Sequence, residues 1–138
     1  MAATPESRVE LDHCIVPCRD QVASARRLAE LLGVAWAPTA IGPFAPVFVN
    51  DGLTLDFQST DEAYPVYHFC FRVDDATFDA ILGRLEAAGV AFRSAVRGPL
   101  DGRVGTFGGG RNVYWNEPDG HQWEMLTVSY ARPRAGAE

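Results

Sequence analysis

Two stretches of the chain alternate apolar and polar residues with the period of a strand. Leu53, Leu55 and Phe57 fall on one face of an extended segment, and Thr54, Asp56 and Gln58 on the other. Tyr67, Phe69, Phe71 and Val73 share a face in a second segment, with Val66, His68, Cys70 and Arg72 opposite. Two further stretches carry the helical period. Val22, Ala25, Leu28, Ala29 and Leu32 form one stripe of a helix over 20–33, with Asp20 as N-cap and Gly33 at the C-terminal turn. Phe78, Ile81, Leu82 and Leu85 recur at i, i+3, i+4 and i+7, which predicts a second helix capped by Asp74 or Asp75. Strands are expected over 9–16, 45–50, 52–58, 66–73, 91–96, 103–107, 111–116 and 121–128. The glycine-rich segment Gly98–Gly110, with Pro99, reads as a loop or hairpin.

These elements repeat. Leu11-Asp12-His13-Cys14-Ile15-Val16 aligns with Val66-Tyr67-His68-Phe69-Cys70-Phe71 when the histidines are superposed, and Asp20 and Asp75 then stand seven positions beyond them. A helical stretch follows in each half and ends at Gly33-Val34 or Gly89-Val90. Further on, Asn50-Asp51-Gly52 matches Pro118-Asp119-Gly120, and Asp56 and Glu124 both lie four residues past the glycine. The joint match points to a duplication. The expected architecture is α+β, with module 1 over 9–60, module 2 over 64–129, and tails over 1–8 and 130–138. In each module the apolar sheet face packs on the helix, so the other face carries the histidine and the carboxylate.

Composition narrows the function classes. At 138 residues the chain has room for one domain, and 47% hydrophobic against 22% charged residues is a globular profile. A net charge of −6 argues against nucleic-acid binding and against a polybasic membrane surface. The first ten residues hold no apolar stretch of the kind a secretory leader needs, and no run is long enough for a membrane span. Three cysteines, Cys14, Cys18 and Cys70, lack zinc-site spacing, and a reduced cytoplasmic setting is expected.

The candidate chemistry is the set His13, His68 and Glu124, with Asp56 as a fourth member. Two neutral imidazoles and a carboxylate are a ligand set that holds a divalent first-row ion and leaves positions open for substrate. A strand histidine taken singly is more often a hydrogen-bonded structural residue; repeat-equivalent placement is what favours a metal centre. His121 lies three residues before Glu124, so alternation puts it on the opposite face, in a turn-stabilising or supporting role. Arg72 and Arg111, with Arg97 and Arg103, are candidates to orient an anionic substrate. Trp115 is a candidate to stack on a ligand, although core packing is the ordinary role of Trp115 and Trp123. The cysteines are expected to pack as small apolar groups.

The run from Asn112 to Glu124, with its Glu117-Pro118-Asp119-Gly120-His121 centre, resembles the closing motif of the vicinal oxygen chelate superfamily. That group includes glyoxalase I, extradiol dioxygenases, fosfomycin-resistance transferases and bleomycin-resistance proteins. Leu11-Asp12-His13 before an Asp-capped helix is similar to the same family, as is His68-Phe69-Cys70-Phe71-Arg72-Val73-Asp74. The resemblance covers residues 9–128 and implies two βαβββ modules whose mixed sheets curl around a cleft, a divalent ion (Fe, Zn, Mn, Ni or Co) on His13, His68, Glu124 and Asp56, and a homodimer. It implies an enzyme of lyase, isomerase or dioxygenase type that chelates neighbouring oxygens of a small oxygen-rich metabolite or xenobiotic. Glyoxalase-type members carry glutamate at the position of Asp56, so the shorter side chain counts against the isomerase. The alternative is a non-enzymatic, drug-sequestering protein of the bleomycin-resistance type, for which the net acidity and the tryptophans would serve.

Overall fold

The computed structural model describes residues 8–133; of the expected tails over 1–8 and 130–138, residues 1–7 and 134–138 lie outside them. The chain divides into two compact units between Glu62 and Ala63. In the first, strand β1 (His13–Cys18) leads into helix α1 (Gln21–Leu32), followed by β2 (Ala35–Trp36), β3 (Ala45–Asn50) and β4 (Leu53–Ser59). In the second, β5 (His68–Arg72) leads into α2 (Asp75–Ala87), then β6 (Phe92–Arg93), β7 (Asn112–Asn116) and β8 (Gln122–Leu126). Both are βαβββ, and the α+β architecture follows the duplicated pattern of the sequence. The sheet orders are β1-β4-β3-β2 and β5-β8-β7-β6, with the first pair of each parallel and the rest antiparallel. A parallel first pair needs a crossover, which the helix supplies.

The helices begin and end where their side chains dictate. Asp20 Oδ1 accepts from the Ala23 N–H at 3.0 Å, and Asp74 Oδ1 accepts from the Thr77 N–H at 2.8 Å. α1 stops at Gly33, whose φ of +74° closes the turn with its N–H on the Ala29 carbonyl. Ala25, Leu28, Ala29 and Leu32 are buried as the stripe requires, whereas Val22 stays at the open edge. In α2, Phe78, Ile81 and Leu85 are buried and Leu82 is half-buried.

Strand pairing fixes the two faces. In the first unit Cys14, Val16 and Cys18 stand beside Leu55 and Phe57 on the helix side, while His13 and Ile15 stand beside Thr54 and Asp56 on the other. In the second, Phe69 and Phe71 stand beside Trp123 and Met125 on the helix side, and His68, Cys70 and Arg72 beside Gln122, Glu124 and Leu126 on the open side. The register of β7 on β8 adds Val113 and Trp115 to the helix side and Asn112, Tyr114 and Asn116 to the open side.

The short strand β2 was not expected, and the strands differ most from expectation in three further places. β1 starts at His13 rather than residue 9, and the exposed Val9 and Leu11 have no sheet partner to bury them. The strand expected over 91–96 forms only at Phe92–Arg93, because the Asp101 carboxylate takes the N–H and hydroxyl of Ser94. The strand expected over 103–107 shrinks to a bridge between Gly105 and Asn112, followed by a 3₁₀ turn over Phe107–Gly109 in which Gly108 and Gly109 both have positive φ. No helix of the described residues is long and apolar enough to cross a membrane.

Candidate functional site

The open face of the second unit carries the densest chemistry. Glu124 sits at the middle of β8 with no exposed surface, yet it is a carboxylate. Burial of such a group is costly unless donors surround it. Tyr130 Oη donates to both of its oxygens at 2.6 Å, and His68 Nε2 lies 3.1 Å from Oε1. Tyr114 Oη lies 3.2 Å from Tyr130 Oη and receives the Asn112 Nδ2 hydrogen at 3.2 Å. Burial and the Glu124 bond push the Tyr130 phenol well above its ordinary pKa, and burial raises Tyr114, so both remain neutral donors. Cys70 stands beside Glu124 on the neighbouring strand; burial, with the nearby carboxylate adding to it, pushes its thiol up to about 12. His68, Cys70, Arg72, Glu124 and Tyr130 line one cavity of about 400 Å³, with Leu126 and Ser129–Ala131 completing it.

The open face of the first unit carries His13 and Asp56. The His13 Nδ1 is bonded to the Asp12 carboxylate at 2.7 Å, which raises the imidazole pKa, and the Asp56 charge adds to the effect. With Nδ1 held by a carboxylate, Nε2 is the nitrogen left for a ligand, the arrangement seen for histidines that bind metals. Cys14 and Cys18 lie on the helix side, where burial raises the Cys14 thiol. None of the cysteines at 14, 18 and 70 is in a disulfide.

The residues fit a divalent metal in donor type, imidazole and carboxylate; the 3.1 Å between His68 Nε2 and Glu124 Oε1 is a hydrogen-bond distance. Among the described residues no group of three or more His, Cys, Asp or Glu side chains is assembled around one point. His68 with Glu124, and His13 with Asp56, each lie on the open face of their own sheet.

The substrate-binding candidates divide. Arg72 is on the open face and lines the Glu124 cavity, and among the described residues it makes no ion pair. Arg111 does not belong to the site. It lies on the helix side, where its guanidinium pairs with Asp79 at 2.7 Å and Asp75 at 2.9 Å and covers the Phe78 ring at 4.3 Å. Trp115 does not belong to it either: it pairs with Trp123 on the helix side and is 1% exposed, so it fills the core. His121 is fully buried on that side. Its Nδ1 accepts the Tyr67 N–H at 3.0 Å, and its ring stacks on Tyr67, which is the supporting role its position predicts.

Sequence reasoning missed Tyr114 and Tyr130. Tyr114 was available from alternation, since a residue next to Trp115 must face the other way once the tryptophan is in the core. Tyr130 falls in the segment read as a tail and carries no periodic signal.

No protein-family profile and no curated protein matches the chain. Solved structures do. The protein titled Oxidase ChaP-H1 is 43% identical, with a TM-score of 0.81 over 90% of this chain and 99% of its own. Oxidase ChaP-H2 is 38% identical, with a TM-score of 0.82 over 91% of this chain and 98% of its own. A glyoxalase/dioxygenase from Nostoc punctiforme shares the fold at 20% identity, with a TM-score of 0.65 over 94% of this chain and 97% of its own.

Proposed function

The chain belongs to the vicinal oxygen chelate superfamily, and from that premise we propose that it is a metal-dependent oxidase of the dioxygenase type acting on a small oxygen-rich molecule. The observation that carries this reading is the His68–Glu124 pair, 3.1 Å apart on the open face of the second sheet. Similarity to two proteins titled as oxidases supports the reaction class. In the second unit His68 and Glu124 are the residues that would hold a divalent ion, and in the first His13 and Asp56 are the corresponding candidates. Such an ion, when bound, supplies Lewis acidity toward neighbouring substrate oxygens and, if it is iron, redox chemistry.

The chain's own side chains have defined parts. Tyr130 holds the Glu124 carboxylate by both oxygens, which fixes its orientation on the strand. Arg72, free of ion pairs among the described residues and on the cavity wall, offers a positive charge to an anionic oxygen of the substrate. A homodimer is part of the same reading; light scattering that returns the mass of a single chain would remove that part.

Elemental analysis of protein purified without chelators tests the proposal. About one divalent ion per chain is expected, with loss of most of it in His68→Ala. A protein that carries no ion, or the same content in the variant, overturns it.

A further inference from the structure

Past the end of β8 at Leu126 the chain is tied down at Thr127. Its N–H donates to the Arg111 carbonyl at 3.0 Å, and its Oγ1 accepts the Arg111 N–H at 2.9 Å. Tyr130 stands further on, on irregular backbone, and still its hydroxyl meets both oxygens of the buried Glu124 at 2.6 Å. Ser129, Tyr130 and Ala131 form one wall of the cavity that Glu124 lines. On its other side Tyr130 lines a second cavity, of about 370 Å³, together with Phe107 and Tyr114. A donor carried off the sheet needs another element to aim it, because irregular backbone holds a side chain less precisely than a strand does.

The glycine run 108–110 is that element. Gly108 has a φ of +81°, a conformation costly for any residue with a Cβ. A Cβ there would also lie 3.0 Å from Tyr130 Cβ and 3.2 Å from its Cδ1. A Cβ on Gly110 would meet Thr127 Oγ1 at 2.6 Å and Val128 Cγ2 at 2.8 Å. The run therefore leaves room for both ends of the segment 127–130. Phe107 completes the seat, edge to face on the Tyr130 ring at 4.9 Å between centroids. Few apolar contacts close it: Phe107 is 67% exposed, and Ser129 and Ala131 on either side of Tyr130 are exposed. Segments of this kind open at lower free energy than the core beneath them.

We propose that residues 127–131 form a strap over the Glu124 cavity, with Tyr130 as its latch, and that Gly108 is the positioning residue that seats it. The strap opens as a local unit while the sheet stays folded, and its release frees Glu124 and one wall of the cavity. That the opening admits a substrate rests on the functional reading above; the strap itself needs no ion.

Limited proteolysis of the full, chelator-treated chain with chymotrypsin tests this. Cleavage after Tyr130 requires the ring to leave Glu124 and enter the protease's own pocket, so its rate follows the open population. In the wild type that rate is expected to stay flat at low urea, because opening the strap exposes little surface. Gly108→Ala is expected to raise it about tenfold, the penalty of left-handed backbone for a residue with a Cβ. Tyr130→Phe is still a chymotrypsin site, and loss of its bond to a charged group raises the rate by about tenfold or more. Rates are compared after correction for cleavage of the unfolded chains, and both variants keep the flat urea dependence. An unchanged rate in either variant, or wild-type cleavage after Tyr130 that appears only with global unfolding in urea, overturns the inference. Ion content, measured separately, keeps the two claims apart: normal ion binding with unmoved cleavage removes only the strap, and a strap that opens in a chain unable to bind an ion removes only the functional reading.

Discussion

Tyr130 is the residue on which the open face of the second unit turns. It supplies a donor to both oxygens of a carboxylate that has no exposed surface, and it is the shared wall of two cavities. Tyr130→Phe keeps the ring and removes the donor that holds both Glu124 oxygens. A stability loss of about 1.5–3 kcal/mol is expected, read from urea unfolding, because the lost bond is to a buried charged group. Tyr114→Phe should cost less, since its bonds to Asn112 and Tyr130 are 3.2 Å long. Equal midpoints for wild type and Tyr130→Phe would contradict the contact. This level of detail was only partly legible in the sequence. His68, Glu124 and Arg72 were readable from alternation, which is a local property. Arg111 and Trp115 were misplaced because alternation sorts the residues around β7 into two sets without saying which set meets the helix.

Among the elements, caps and turns are where sequence and structure agree most closely. Asp20, Asp74 and Gly33 act through neighbours three or four residues away, and such short-range chemistry is written directly in the chain. Asp74 and Asp101 both have carboxyl pKa values held below the ordinary range. The first is lowered by its hydrogen bond to Thr77, the second by that from Ser94. A group with a depressed folded pKa contributes stability above its unfolded pKa of about 4, and that contribution is lost as pH falls through the folded value. Unfolding midpoints should therefore fall below pH 4, and Asp101→Asn should flatten that part of the profile; an unchanged slope would contradict it. The segment over 94–110 was the least legible element. Its shape comes from Asp101 reaching back to Ser94 and from the close approach of Gly105. A Cβ at Gly105 would lie 2.3 Å from the Ser94 carbonyl oxygen and 2.6 Å from Asn112 Oδ1. Gly105→Ala is expected to destabilise by about 1–3 kcal/mol, the usual range for overpacking, and calorimetric melting measures it. A neutral result would mean the backbone yields there at no cost.

At the scale of the molecule, the duplication gives two βαβββ units with the same strand order, each presenting one imidazole and one carboxylate on the face away from its helix. That equivalence was legible before any coordinates, because it needs only the histidine and glycine landmarks of the repeat. What each face binds is a longer-range matter than alternation or spacing can reach. The metal proposal stands on His68 and Glu124 of the second unit. Titration of the chelator-treated chain and its His68→Ala and Glu124→Gln variants with Co²⁺, read by calorimetry and by the visible spectrum of the bound ion, is its sharpest test. One ion per chain is expected, with a loss of affinity of about 100-fold or more in each variant, larger than the usual cost of removing a supporting partner. A His68→Ala chain that binds Co²⁺ as tightly as wild type, or a wild type that binds none, overturns it.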